Sequence, residues 1–201
     1  RKLIKSKKHV VIIPVGSLEQ HGAHLPITTD SDIVTEIASR LAKKYGFIVF
    51  PTISYGNSEE HSPLFNTSGF FRDYLNNIID SLVENKIKSI IILNGHHGNI
   101  YDLQQLDSMY NHPSTVQFEQ GKLARIGFYS YWRFMEHEFD HAGFVETSLM
   151  LAISDKVKMK KAKMGLITKG LSEKEIQRIN KLSTQQGGFP KVAKNGVWGD
   201  P

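Results

Sequence analysis

Residues 9–16, HVVIIPVG, decide the fold class, because they form a short and almost continuous run of apolar, mostly β-branched side chains. Runs of this kind are typical of strands that are buried on both faces, as in parallel sheets. Two further runs, 47–53 and 89–93 (SIIIL), have the same character. They predict a second and a third strand of one buried sheet.

Helical periodicity separates these strands. Apolar residues at helical spacing predict one helix from Asp30 or Ser31 to about Tyr45, ended by Gly46, and a second over residues 70–86. Further helices are expected over 100–110 and from near 141 to 153, with one or two strands in 116–131 and no clear organisation from 156 onward. The alternation predicts an α/β fold with a mainly parallel sheet.

The composition is that of an ordinary globular domain. The 201 residues are 40% hydrophobic and 22% charged, and no apolar run reaches the roughly 18 residues of a membrane span. The absence of cysteine excludes disulfides, thiol nucleophiles and cysteine-bound metals, and it fits a cytoplasmic protein. Any metal must therefore be held by imidazole nitrogens and carboxylate oxygens.

The net charge of +5 comes from dispersed lysines rather than from an arginine-rich stripe with interleaved aromatic residues. This pattern predicts a solvated surface and no nucleic-acid partner. The G-x-S-x-G, Walker and G-x-G-x-x-G patterns are absent from the sequence. Ser17 lacks the strand–turn–helix setting of a serine nucleophile.

Polar clusters follow the predicted strands, where open α/β sheets place their sites. Glu19 and His21 come after the first strand and point to the same side of an extended backbone. Asp30 stands at a predicted helix start, where it could be a cap or a ligand. His96 follows the third strand, in a loop where Gly95 and Gly98 flank His96 and His97. Two carboxylates and two imidazoles suit zinc, manganese or iron(II), and a bridging carboxylate would let them hold two ions.

These motifs resemble those of the creatininase (creatinine amidohydrolase) family. The first motif is PVGSLEQHGAHLP at 14–26 with Asp30, the second is NGHHGN at 94–99, and the third combines HAG at 141–143 with ETS at 146–148. A weaker loop pattern contains Tyr55-Gly56, Glu60-His61 and Thr67. The segment NGVWGDP at 195–201 resembles a late family segment that normally continues, so the chain is expected to stop short of the family's C terminus.

The resemblance implies a three-layer αβα sandwich, one domain over residues 1–201, with a binuclear metal centre. By position, Glu19 and His96 would hold one ion, His21 the other, and Asp30 would bridge them. His141 is the implied acid/base residue.

One position departs from the creatininase pattern. Gly98 stands where creatininase has a glutamate ligand, and glycine there also occurs in formamidopyrimidine-nucleotide deformylases. Glu146 is the candidate substitute ligand, with a possible part in catalysis. Its alternative role is that of a carboxylate favoured by a helix N terminus.

The sequence therefore predicts a metal-dependent amidohydrolase that cleaves a cyclic amide or a formamide with metal-activated water. Its partners would be a small amide substrate and other copies of the chain, in a homo-oligomer such as a hexamer. Two alternatives stay open. HEFDH at 137–141 matches the H-E-x-x-H pattern of zinc proteases, and a non-catalytic protein of the same fold would bind a small ligand instead.

Overall fold

The computed structural model describes residues 10–62, 69–111, 124–138 and 140–201. Its strands are β1 Val11–Val15, β2 Ile48–Val49, β3 Ser89–Asn94 and β4 Arg125–Ser130. Its α-helices are α1 Thr29–Tyr45, α2 Phe71–Glu84, α3 Ile100–Asn111, α4 Phe144–Ile153, α5 Glu173–Ser183 and α6 Phe189–Val192. Short 3-10 turns include Glu59–His61 and His97–Asn99. No helix in the described ranges is long and apolar enough to cross a membrane.

The four described strands form one parallel sheet in the order β2-β1-β3-β4. Every residue of β1 is buried, as its apolar run predicts. Val15 pairs with Asn94, and Asn94 pairs with Ser130, so three strands end at the same level. The predicted α/β fold with a parallel sheet is confirmed.

Helices cover both faces of this sheet because side chains alternate along each strand. Val11 and Ile13 of β1 pack with buried side chains of α2 and α3, among them Leu75 and Leu106. Ile12 points the other way and packs with buried residues of α1. The result is the predicted three-layer αβα arrangement.

Three element boundaries differ from the prediction. The second strand pairs with β1 over Ile48–Val49 alone, followed by an isolated bridge between Val15 and Ile53. Helix α4 begins at Phe144 rather than near His141, because residues 141–143 form a bridge and a bend. Helix α1 begins at Thr29, and its N-cap residue makes no side-chain capping bond.

That last difference corrects one interpretation of Asp30. Its carboxylate does not cap the helix, because Asp30 lies inside the first turn and is 2% exposed. The side chain is therefore available for the site at the end of the sheet.

The C-terminal region, which the sequence left without organisation, is ordered around two helices and a short bridged segment. Helix α5 starts with a capping box in which Ser172 and Glu175 bond each other's backbone N–H. Trp198 then bridges His141 and Leu166, with Trp198 N–H donating to the His141 carbonyl at 2.8 Å. This region closes over the edge where β1 and β3 end.

Candidate metal centre

The site lies at the carboxyl ends of β1 and β3. Glu19 and His21 follow β1 within the loop that leads to α1, and Asp30 is carried by the first turn of that helix. His96 comes two residues after Asn94, the last residue of β3. Asn94 holds this exit in place, because its side chain accepts from His96 N–H and donates to the His96 carbonyl. The parallel register of β1 and β3 brings the two exits together.

These four predicted ligands converge, although 77 positions separate Glu19 from His96 in the sequence. His96 Nδ1 lies 3.1 Å from Glu19 Oε2 and 3.1 Å from Asp30 Oδ2. His21 Nε2 lies 3.2 Å from Asp30 Oδ1 and 3.9 Å from Glu19 Oε1. All four side chains are buried, so their charges are shielded from water.

The hydrogen bonds of His96 show which of its two ring nitrogens carries the proton and which one accepts. His96 Nε2 lies 2.7 Å from the carbonyl of Asn57, which can only accept, so this nitrogen carries a proton. In the neutral ring Nδ1 then carries a lone pair, which faces oxygens of Glu19 and Asp30. The ring nitrogen and the two carboxylate oxygens are all hydrogen-bond acceptors, so a proton or a metal cation is needed between them.

His21 and His141 repeat this arrangement. His21 Nδ1 lies 3.3 Å from the Glu19 carbonyl, which leaves Nε2 to face the carboxylates. His141 Nε2 lies 2.8 Å from the Gln20 carbonyl, which leaves Nδ1 at 3.5 Å from Glu19 Oε1. An imidazole whose outer N–H is bound to a backbone carbonyl is typical of metal-binding histidines.

His61 is also buried in the site, although the sequence singled it out only as part of a weak loop pattern. In contrast to the other three histidines, its protonated nitrogen faces the carboxylate. Gln20 Oε1 accepts from Gly22 N–H, so the Gln20 amide nitrogen donates to His61 Nδ1 at 3.1 Å. His61 Nε2 then carries the proton and faces Glu19 Oε1 at 3.4 Å. The His61 ring therefore presents its N–H toward the Glu19 carboxylate at an ion-pair distance.

Glu146, in the first turn of α4, joins the centre from the other side. Its Oε2 lies 3.5 Å from His21 Nε2 and accepts from Ala142 N–H at 2.6 Å. Ala142 has a positive φ of 53°, an uncommon conformation for a residue with a side chain. The bent backbone before α4 thus orients the Glu146 carboxylate toward His21. Beside it, His24 contacts the Thr147 hydroxyl at 3.0 Å.

Burial and mutual charge shift the pKa values of these groups in the metal-free chain. Burial raises the pKa of Glu19 to about 7, although His96 opposes the shift. Burial acts against ionised Asp30 as well, but the nearby His21 outweighs it and holds the Asp30 pKa well below its usual range. Burial also disfavours charged imidazole, yet the carboxylates outweigh it and raise the pKa values of His21 and His96 well above 6.5.

Two histidines shift in the opposite direction. Burial, reinforced by the charge on His96, lowers the pKa of His61 to about 3. Burial, reinforced by His21, lowers the pKa of His141 well below 6.5. Both rings are therefore neutral near pH 7.

The donor set fits divalent cations. Asp30 Oδ2 is buried and accepts no hydrogen bond from the described residues, so it has an open coordination position. Ligand atoms of Glu19, His21 and Asp30 lie within 4.8 Å of one another, as do those of His21, His141 and Glu146. Nitrogen and oxygen donors of this kind suit zinc, manganese or iron(II). Their role as ligands stays a prediction.

Comparison with known proteins supplies the family. The family model described as "Creatininase: Creatinine amidohydrolase" matches residues 1–201. This chain belongs to the creatininase family. Members of the family are hydrolases that act on C–N bonds, which places this chain among enzymes rather than among ligand-binding proteins of the same fold.

Relatives within the family act on different substrates. A mycofactocin precursor peptide peptidase of Mycolicibacterium smegmatis is 30% identical over 211 residues, which is 96% of this chain and 74% of that protein. A 2-amino-5-formylamino-6-ribosylaminopyrimidin-4(3H)-one 5'-monophosphate deformylase of Methanosphaera stadtmanae is 39% identical over 114 residues, covering 53% of this chain and 48% of that protein. Membership of the creatininase family thus leaves the substrate open.

Solved creatininases share the fold. The crystal structure of creatinine amidohydrolase is 25% identical, with a TM-score of 0.67 over 79% of this chain and 70% of that one. At 24% identity, the solved creatininases also include a Zn-Zn type and an Mn form.

Gly98 has no side chain that could bind a metal ion, and the neighbouring atoms leave no room for one. A Cβ atom built there would clash with the Asn57 carbonyl and with His96 Nε2, and it would lie 2.7 Å from Glu60 Oε1. The Glu60 carboxylate and the bond between His96 and Asn57 thus occupy the space that a side chain at 98 would need. Glu60, like His61, is a residue of the site that the sequence singled out only as part of the weaker loop pattern.

The H-E-x-x-H interpretation is not supported. Residues 136–138 are not helical, so His137 and His141 are not placed one helical turn apart. His137 is exposed and contacts the ring of Phe144, while His141 lies in the centre described above. Phe139, within the motif, lies outside the described residues, as does Thr67 of the loop pattern.

A cavity of about 360 Å³ opens beside the centre. Five carboxylates, four histidines and several C-terminal residues line it: Glu19, Asp30, Glu60, His61, His96, His97, Asp140, His141, Glu146, Asn180, Ser183, Thr184, Phe189 and Trp198. Its size suits a small organic substrate.

Proposed function

We propose that this chain is a metal-dependent hydrolase that cleaves a C–N amide bond, in a cyclic amide or a formamide, with two divalent ions. The observation that carries the proposal is the orientation of His96 and His21. In each of these two rings the outer nitrogen is bonded to a backbone carbonyl and the inner nitrogen faces carboxylate oxygens. That pattern leaves a cluster of acceptors whose natural occupant is a metal cation.

The ligand assignment follows the positions of the donors. Glu19 and His96 would hold one ion, His21 and Glu146 the other, and Asp30 would bridge, since its two oxygens face His21 and His96 separately. Zinc, manganese and iron(II) all accept this donor set. When bound, such ions lower the pKa of water toward neutrality and polarise a carbonyl oxygen.

His141 is placed to move a proton. Its Nε2–H is bound to the Gln20 carbonyl, so proton exchange takes place at Nδ1, which faces the centre. Since burial lowers its pKa, His141 is neutral near pH 7 and is ready to accept a proton there. The same nitrogen then delivers that proton to the departing amine. Glu146 would assist this proton transfer from its place near His141, since ligand atoms of the two residues lie within 4.8 Å of each other.

Phe189 shields this side of the centre from water. Its ring centroid lies 4.5 Å from that of His61 and 4.7 Å from that of His141. An apolar ring over two neutral imidazoles keeps the local dielectric constant low, which strengthens the interactions of charges at the reacting carbonyl. The C-terminal region therefore contributes to the site as well as to the fold.

The remaining proposals follow the family resemblance. We place the protein in the cytoplasm, as a homo-oligomer such as a hexamer, with a small amide substrate and without a nucleic-acid or membrane partner. Sedimentation of the purified full chain, with and without metal, tests the oligomeric state.

Elemental analysis of protein purified without chelator, followed by a screen of amides and formamides, tests the function. About two ions per chain and turnover of at least one C–N bond are expected. Glu19→Gln keeps the size of the side chain but removes a charged ligand, so metal content and activity should fall together. Absence of bound metal, or full activity in metal-free protein, would contradict the proposal.

A peptide amide is a second candidate substrate. The observation in its favour is the 30% identity over 96% of this chain to a peptide peptidase. The same centre could act on a peptide carbonyl, because a peptide bond is an amide. Release of amino acids from short peptides, with no turnover of formamides, would favour this candidate over the first.

A further inference from the structure

The charges that line the cavity restrict what can enter it. Five of its lining residues are carboxylates, whereas no lysine or arginine of the described residues lines it. The exposed lysines Lys181 and Lys191 lie near in sequence to lining residues but are not themselves part of the wall. Residues 63–68, PLFNTS, which follow Glu60 and His61 in the chain, contain no basic residue either.

Glu60 and Asp140 are the two carboxylates of this lining that the proposed ligand set leaves unused, and Asp140 Oδ2 already accepts from Val145 N–H. The Glu60 side chain is 15% exposed, and it forms an ion pair with His96 Nε2 at 3.8 Å. That nitrogen already donates to the Asn57 carbonyl at 2.7 Å, so it gives Glu60 little compensation. The absence of a side chain at Gly98 leaves the space that Glu60 Oε1 occupies.

The part of the lining that the C-terminal region contributes is polar but uncharged. Ser183, the last residue of α5, and Thr184, which follows it, donate their hydroxyl protons to carbonyls of that helix, so their oxygens present lone pairs. Asn180 completes this side, and Phe189 and Trp198 add flat apolar surface. Such a wall binds N–H donors and ring systems, and it offers nothing to balance a phosphate.

The two proposed metal ions would not reverse the negative charge of the cavity lining. Two divalent cations would carry four positive charges against the five lining carboxylates, so the loaded cavity keeps a small negative charge. A phosphorylated substrate brings about two further negative charges into a partly desolvated space, where like charges repel strongly.

Building on the function proposed above, we propose that the cavity takes an uncharged or cationic amide and excludes a phosphorylated one, with Glu60 binding an N–H donor of the substrate. The chain would thereby differ from its deformylase relative, whose named substrate is a 5'-monophosphate. Glu60 acts here as a specificity residue and takes no part in the bond cleavage.

Three ligands that share one reacting group test this inference on the zinc-loaded full chain. They are formanilide, which is neutral, 4-(aminomethyl)formanilide, which is cationic, and 4-formamidophenyl phosphate, which is anionic. Calorimetry gives a Kd for each, whether or not it is hydrolysed. We expect the cation to bind at least as tightly as the neutral compound, and the phosphate at least about tenfold more weakly.

Variants identify the residue responsible. Glu60→Gln keeps the shape of the side chain and should weaken binding of the cation by about tenfold, with KM changing more than kcat. Glu59→Gln is the matched control, because Glu59 belongs to the same three-residue turn but does not line the cavity. The control should leave all three Kd values within about twofold.

The outcomes separate the two proposals. Phosphate binding as tight as that of the neutral compound, an unchanged ranking in Glu60→Gln, or no binding of any of the three would overturn this inference. The proposed hydrolase function fails on different evidence, namely a chain without bound metal or without turnover of any amide.

Discussion

Replacing Gly98 by alanine is expected to weaken metal binding by about 10- to 100-fold, although alanine adds a single methyl group. The new Cβ would clash with the Asn57 carbonyl and with His96 Nε2, the two atoms whose hydrogen bond orients the His96 ring. Glu60 Oε1, at 2.7 Å, would have to retreat by about 0.7 Å to reach ordinary van der Waals contact. The His96 ring must therefore turn, and its Nδ1 moves away from the Glu19 oxygen that it faces at 3.1 Å.

The effect on folding should be smaller than the effect on the metal. Overpacking one methyl group costs about 1 to 3 kcal/mol, which a domain of this size tolerates. The φ angle at Gly98 is not positive, so alanine adds no backbone strain there. Weaker metal binding in a folded protein is the expected combination.

Competition of the protein with a fluorescent zinc chelator measures the affinity, and thermal unfolding of the metal-free chain measures the stability. Tyr101→Ala serves as control, because this residue is near in sequence but 68% exposed on α3. Zinc affinity in Gly98→Ala equal to that of the unmodified chain would show that the bond between His96 and Asn57 does not govern the ligand.

Other expectations concern the ligands, the pH dependence and the core. Asp30→Asn should lose metal and activity together, whereas His141→Ala should retain bound metal, as measured by elemental analysis, and lose most of its turnover. Because the pKa values of His21 and His96 are raised in the metal-free chain, zinc binding at pH 7 should release protons and tighten as the pH rises, which calorimetry in buffers of different ionisation enthalpy detects. Leu75→Ala, at a fully buried position far from the ligands, should cost about 2 to 5 kcal/mol of unfolding free energy in urea titrations and leave the zinc affinity unchanged.

Much of the fold could be predicted because its signals are local. The β-branched run of β1 has apolar side chains toward both faces, and only a buried parallel strand satisfies them. Polar residues placed directly after two such strands predict a shared edge, and Glu19 and His96 do meet there. These inferences need no knowledge of distant packing.

The rest depends on contacts that no local pattern encodes. His61 is a site residue because Gln20, 41 positions away, donates to its ring. Glu60 matters because a glycine 38 positions later leaves space for its carboxylate. The length of β2 depends on pairing with β1 rather than on its own composition, and the lysine-rich C-terminal region gives no apolar period strong enough to place α5 beforehand.

The bridge between Trp198 and His141 has a consequence for how the protein matures on the ribosome. The four described strands and the proposed carboxylate and imidazole ligands are synthesised before Trp198, which pairs with the backbone of His141. A nascent chain can therefore form these strands before the cavity is closed on its C-terminal side. Premature termination just before residue 197 would leave a domain with the proposed metal ligands already synthesised but with one side of the cavity exposed to bulk water.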